Sequence, residues 1–160
     1  MHINNTKFLN FGSLNQDMVY SVDHTVRPGE TTASSKLEFF CGGKGLNQSI
    51  ALARAGAKVF HAGCVGSDGE RLLEKLKENG IDTSFIKKCD MPSGHAIIQV
   101  DKNGQNSILL FGGANKQIDE EQIAKVLSDF KAGDKLFLQN EINVVDKIIT
   151  AASKKGMEIV

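Results

Sequence analysis

No charge of either sign dominates this sequence. Nineteen Lys and Arg balance nineteen Asp and Glu, for a formal net charge of zero. No basic excess argues for a nucleic-acid partner, and no charge block marks a tail or a membrane patch. No apolar run approaches the ~20 residues of a spanning helix. The start, "MHINNTKFLNFG", lacks a basic segment followed by an apolar core, so no secretory leader is expected and the expected location is the cytoplasm. Cysteine is scarce: Cys41, Cys64 and Cys89 are an odd count without C-x-x-C spacing. They are expected to be reduced thiols, neither a disulfide frame nor a zinc site. His2, His24, His61 and His95 are scattered singly, which argues against a metal cluster. There is no internal repeat, no low-complexity linker and no legible Ser/His/Asp arrangement.

What is present is one ordinary domain's worth of chain. The 160 residues are 41% hydrophobic, enough to bury a sizeable core. "KFLNFG" predicts a first strand that stops in the loop "GSLNQD". "MVYSV" and "KLEFFC" predict further strands, separated by the turn "RPGE". Leu46, Ile50 and Ala53 share one helical face that Gly56 ends. "KVFHAGCVG" predicts a short strand. A helix follows, with Ser67 as N-cap, Glu70 completing a capping box, Leu72, Leu73 and Leu76 buried, and Gly80 ending it. Asp68 fits as first-turn charge complementing the helix dipole. The glycines of "GCVGSDGE" fit a strand-to-helix turn, with anion binding at that helix start as the alternative. Lys87-Lys88 and Lys154-Lys155 fit solvated surface pairs.

"GHAIIQVDKNGQNSILLF" predicts a hairpin with a type I′ turn at Asn103-Gly104. Then come a helix capped by Asp119, a buried strand "KLFLQ", a helix "VVDKIITAASKKG" and a strand "MEIV". Alternating strands and helices imply a parallel sheet flanked by helices. Two inserts, about residues 18–41 and 93–111, break the alternation and predict a separate small β-sheet. The apolar end at Val160 leaves the last strand uncovered. The expectation is a chain cut in mid-fold, the alternative a natural edge strand.

The stretch "FCGGKGLNQS" places Lys44 among three glycines. A phosphate loop, G-x-x-x-x-G-K-[ST], needs glycine where Glu38 stands and a hydroxyl where Gly45 stands. A dinucleotide fingerprint needs glycine where Gln48 stands. What remains is close backbone approach at Gly42, Gly43 and Gly45, with Lys44 and Asn47 at a helix start where free N–H groups point outward. This can clamp one small polar molecule; the alternative is a tight turn with a solvated lysine. Asn15 and Asp17 are two apart, so extended backbone points them the same way. They follow the first strand, where open α/β sheets bind ligands, and their groups suit sugar hydroxyls. An Asx-turn is the alternative. Glu141 follows another buried strand, either as a third convergent polar group or as a helix cap, a task Asn143 would serve equally.

These residues resemble a known family. "GGKGLNQSIALARAGAKVFHAGCVG" is similar to the amino-terminal signature of the ribokinase-like (phosphofructokinase-B type) sugar kinases, with Gly42, Gly43, Gly45, Asn47, Ser49, Gly56 and Gly66 at the family's spacing. "GSLNQD", "PGET", "SGHAIIQVDKNGQNSILLFGGAN" and "LQNE" follow in family order, so the resemblance covers nearly the whole chain. It implies a Rossmann-like α/β fold with a β-sheet lid, residues 1–160 being its amino-terminal part. It implies that Asn15, Asp17, Gly43, Lys44, Asn47 and Glu141 hold sugar hydroxyls and that Ala96 and Ile98 are apolar lid contacts. The asparagine–aspartate loop with G-G-K-G-x-N points to ribose as the sugar, phosphorylated by ATP, and to a homodimer paired through its lids. A kinase for another sugar or a nucleoside, and a non-catalytic sugar-binding or dimerisation module, are the rivals.

Family chains are roughly twice this length. Their second half carries a D-T-x-G-A-G-D motif with the catalytic aspartate, the ATP site with its Mg2+, and a loop for K+. None of this is found in the sequence. The resemblance therefore implies no catalytic residue here, and a chain that alone binds neither ATP nor metal and is inactive.

Overall fold

The structure, a computed structural model, describes residues 6–160. Met1–Asn5, with His2 and the first part of the amino-terminal stretch, lie outside the described residues. The chain runs β1 (Phe8–Phe11), β2 (Asn15–Ser21), β3 (Lys36–Gly42), α1 (Lys44–Arg54), β4 (Val59–Val65), α2 (Glu70–Glu78), β5 (Asp82–Lys88), β6 (Gly94–Val100) and β7 (Asn106–Phe111). After a 3-10 turn at Gly113–Lys116 come α3 (Glu120–Ser128), β8 (Lys135–Leu138), α4 (Val145–Lys154) and β9 (Glu158–Ile159).

β5-β4-β1-β8-β9 form a sheet whose pairs are all parallel. Leu9 and Phe11 of β1 face α3 and α4, packing with Ile123, Val126, Leu127, Ile148 and Ala152. On the other face Leu46 of α1 packs with Leu72, Leu73 and Leu76 of α2, with Ile50 and Ala53 against them. This is the expected α/β architecture of a parallel sheet between helices. From β1 the chain builds outward to β4 and β5, then returns to place β8 on the other side of β1. The switch point therefore lies between β1 and β8, where such sheets open a crevice beyond the strands' carboxyl ends.

β3-β2-β6-β7 form a second, mixed sheet: β2 and β6 run parallel, and both edges pair antiparallel. Its strands come from residues 15–42 and 94–111. Glycines stand at each passage between the sheets, at Gly12, Gly42-Gly43, Gly94 and Gly112-Gly113. Both faces of this sheet keep apolar groups in solvent, including Phe39, Phe40, Ile108, Leu109, Leu110 and Phe111.

Several local expectations are corrected. Asn15 and Asp17 are not in the loop, because β2 already begins at Asn15. β5, which the sequence did not signal, is an edge strand with mixed burial and hence no clean alternation. Lys87 and Lys88 are exposed but ion-paired, to Asp119 and Glu70. Ser67 is not the cap of α2; Gly69 is, with no side-chain hydrogen bond. Tertiary partners win there: Ser93 Oγ accepts from Gly66 N (2.9 Å), and Asp68 Oδ1 accepts from Ser93 N (2.9 Å). Asp68 thus ties the turn to the start of β6. The β6–β7 hairpin forms without a type I′ turn. Only Gly104 takes positive φ, and its N–H closes the turn on the Asp101 carbonyl at 3.0 Å. Asp101 Oδ1 accepts from Asn103 N and Gln105 N, which fixes this longer loop. Asp119 caps α3 as expected, accepting from Gln122 N at 2.8 Å. Neither Glu141 nor Asn143 caps α4, whose N-cap is Val144 at φ 50.

Candidate functional site

The switch point is built around Ser13. Its hydroxyl donates to Glu141 Oε2 at 2.6 Å, joining the segment after β1 to the segment after β8. The same oxygen accepts from Gly45 N at 3.2 Å, and its carbonyl accepts from Leu46 N at 3.0 Å. The first turn of α1 therefore docks directly on the β1–β2 connection. Glycine is required for that approach. Gly43 takes φ 94, and a methyl group there would lie 2.9 Å from the Ser13 carbonyl oxygen.

A buried polar layer supports the turn from below. Asn10 Nδ2 donates to the Gly45 carbonyl (2.7 Å) and to Ser49 Oγ (2.8 Å). Gln139 Nε2 donates to Asn10 Oδ1 at 2.8 Å. Ser49 Oγ lies 2.7 Å from His61 Nδ1, and His61 Nε2 lies 3.2 Å from the Gly12 carbonyl. A carbonyl only accepts, so Nε2 carries the proton and Nδ1 receives the Ser49 hydroxyl. Burial holds the His61 pKa down to about 4, so the ring is neutral at physiological pH.

Glu141 reaches Lys44 twice: Oε2 accepts from the Lys44 backbone N at 3.1 Å, and Oε1 lies 2.9 Å from Nζ. Burial raises the Glu141 pKa, but the Ser13 and Lys44 hydrogen bonds and the Lys44 charge outweigh it, and the net shift is downward. Burial raises the Asp17 pKa, and the nearby Glu141 charge adds to this. Lys44 thus pairs with Glu141, while Asp17 feels the Glu141 charge. Carboxylates here can accept from hydroxyl donors.

The second sheet brings Asn15 and Asp17 to this junction. Asn15 pairs with Gly42 and Gly94, Asp17 with Phe40 and Ala96, and Val19 with Glu38 and Ile98. Residues paired across strands share a face, so Asn15, Asp17, Ala96 and Ile98 lie on one side of the sheet. A methyl group at Gly42 would lie 2.0 Å from Asp17 Oδ2. Asn15 and Ala96 are buried, Asp17 and Ile98 partly so. Asn47, one turn into α1 after Lys44, is exposed. A cleft of about 220 Å³ is lined by Asn15, Leu110, Asn115, Lys116, Asn140 and Glu141. A second depression, about 290 Å³ between β5 and α3, is lined by the Lys87–Asp119 pair and packing residues of α3. Only the smaller cleft lies at the switch point.

Ser13, Asn10, Gln139, His61 and Asn115 were not singled out as site residues in the sequence. Ser13 and Asn115 stand in stretches that were, "GSLNQD" and "GGAN", but nothing in their spacing separates them from ordinary loop polars.

A parallel sheet between helices, with a cleft lined by polar side chains at its switch point and a small mixed sheet beside it, defines an α/β protein of the class expected from the sequence. Residues 5–157 match the model of the pfkB family carbohydrate kinases, and the chain belongs to that family. A ribokinase from Haemophilus influenzae is 37% identical over 154 residues, which cover 93% of this chain and 50% of that protein. A deoxyribokinase from Salmonella typhi is 33% identical over 153 residues, 92% of this chain and 50% of that one. The structure of an Arabidopsis thaliana ribokinase complexed with ribose and ATP superposes with a TM-score of 0.81 at 25% identity, covering 96% of this chain and 52% of that chain. The chain thus spans about half the length of the relatives it matches.

Proposed function

We propose that this chain is the sugar-holding and lid half of an ATP-dependent carbohydrate kinase that converts D-ribose and ATP to ribose 5-phosphate and ADP. The observation that carries the reading is the junction of Ser13, Lys44 and Glu141 at the β1–β8 switch point, with Asn15 and Asp17 on the neighbouring sheet face. Asp17 and Glu141 accept sugar hydroxyls; Gly43, Lys44, Asn15 and Asn47 donate. Ala96 and Ile98 lie on the same sheet face as Asp17 and form the apolar cover of the lid. Phe39, Leu109 and Phe111 alternate with the Asp17 row and point the other way, which supports pairing of lids between two copies in a homodimer.

Among the described residues no group of three His, Cys, Asp or Glu could hold a metal. In this reading ATP, Mg2+, K+ and the aspartate that takes the hydroxyl proton belong to a half beyond Val160, and residues 1–160 alone transfer no phosphate. No helix among the described residues is long and apolar enough to cross a membrane. The deoxyribokinase relative supports the rival reading of another sugar as substrate. The coding sequence after Val160 tests the enzyme reading. A D-T-x-G-A-G-D segment there supports it, and an immediate stop overturns it for this polypeptide. Coupled ADP release with ribose and 2-deoxyribose then separates the two sugars: ribose should give the higher kcat/KM.

A further inference from the structure

Asn15 is 5% exposed, yet only its carbonyl is engaged among the described residues. Asn115, from the 3-10 turn after β7, donates Nδ2 to Asn15 Oδ1 at 2.7 Å. The orientation of Asn115 is itself set by backbone. Its Oδ1 accepts from Leu14 N at 2.9 Å, and its Nδ2 also lies 3.2 Å from the Leu14 carbonyl. A backbone N–H can only donate and a carbonyl can only accept, so Asn115 cannot be reversed without breaking both. Gly94 packs over the pair: a methyl group there would lie 2.1 Å from Asn115 Nδ2 and 2.3 Å from Asn15 Oδ1. Both asparagines line the cleft that Glu141 also borders.

We propose that Asn115 is a positioning residue that fixes the polarity of Asn15, locking its carbonyl inward and leaving its Nδ2 as the donor facing the cleft. The polyol nature of the ligand rests on the sugar reading above; the polarity does not. A sugar hydroxyl has one hydrogen and two lone pairs. When its hydrogen goes to a carboxylate such as Glu141, what remains are lone pairs, which a donor such as an amide N–H satisfies and an amide carbonyl does not. An Asn15 free to turn would spend part of its time presenting a second acceptor and would discriminate less between a hydroxyl and an empty position. Asn115 thereby converts a residue of either polarity into a donor, opposite in kind to the Glu141 carboxylate that lines the same cleft.

The test combines side-chain amide NMR with ribose calorimetry on the intact protein. In the free wild type, the Asn115 Nδ2 protons should exchange with water more slowly than those of Asn15, and ribose should shift the Asn15 pair. Asn115→Asp keeps the acceptor for Leu14 N but removes the donor, and is expected to weaken ribose binding at least tenfold. Asn115→Ser is the milder variant should the aspartate prevent folding; it is expected to weaken binding and broaden or double the Asn15 amide signals. A wild type whose Asn15 protons are the slower pair overturns the assignment, whether or not ribose binds. Either variant with a lowered melting temperature but unchanged ribose affinity and an unchanged Asn15 shift also overturns it, leaving Asn115 a purely structural tie. The expected exchange pattern with no ribose binding supports the polarity and overturns the ribose reading instead.

Discussion

Replacing Gly45 by alanine is expected to destabilise the protein by about 2 kcal/mol, seen as a melting temperature lower by roughly 4–8 °C. Helix propensity argues the other way. Gly45 lies inside α1, where alanine is ordinarily favoured by about 1 kcal/mol. Contact geometry decides the sign. A methyl group on Gly45 would lie 2.4 Å from Ser13 N, 2.6 Å from Gly12 C and 2.7 Å from Gly12 Cα. All three are backbone atoms of the β1–β2 connection, so no rotamer change can relieve them. The helix must move away from β1, which stretches the Gly45–Ser13 and Leu46–Ser13 hydrogen bonds and unseats Glu141. Ribose affinity should fall with stability. A melting temperature equal to or above that of the wild type would show that α1 does not dock on this turn.

Acid is expected to weaken the fold before the carboxylates titrate. His61 is fully buried, and its folded pKa is held down from 6.5 to about 4. The unfolded chain takes up a proton below 6.5, while the native ring stays neutral until about 4. The stability is therefore fully present above pH 6.5 and is lost as the pH falls toward 4. The loss is about 2 kcal/mol by pH 5 and about 3 kcal/mol in all. Denaturant unfolding at pH 7.5, 6.0 and 5.0 reads this directly. Carboxylates with lowered pKa, such as Glu141 and Asp119, add their own loss only below the ordinary 4.5 and 3.8. Stability that stays flat from pH 7.5 to 5.0 would mean that His61 is not held neutral between Ser49 and Gly12.

Much of the architecture was legible because burial writes itself into period. Leu72, Leu73 and Leu76 mark one helical face, and Gly56 and Gly80 mark helix ends, each at positive φ. β5 was not legible: as an edge strand it exposes Asp82, Ser84, Lys87 and Lys88, so alternation and apolar content both fade. Ser67 and Asn103-Gly104 misled because short local motifs were outweighed by partners elsewhere in sequence. Ser93 ties down the turn before α2, and Asp101 organises a longer hairpin loop.

The candidate site divides in the same way. Asn15, Asp17, Lys44 and Glu141 are legible as candidates because they follow β1 or β8 or open α1. The structure joins Lys44 to Glu141 and puts Asp17 near Glu141's charge. Ser13 and Asn115 were missed because their role lies in contacts spanning 128 and 101 residues of chain, which no local pattern encodes. The phosphate-loop reading of Lys44 fails in the sequence at Glu38 and Gly45, and in space Lys44 pairs with the Glu141 carboxylate.

The most direct measurement of the sugar site is calorimetric titration of ribose into the intact protein, wild type against Asp17→Ala. Asp17 is partly exposed and packs on Gly42, so its loss should leave the fold largely in place. A carboxylate accepting hydroxyl hydrogen bonds contributes about 1.5–3 kcal/mol, so affinity should fall by roughly 10- to 150-fold with the melting temperature little changed. Unchanged ribose affinity in Asp17→Ala would contradict the site.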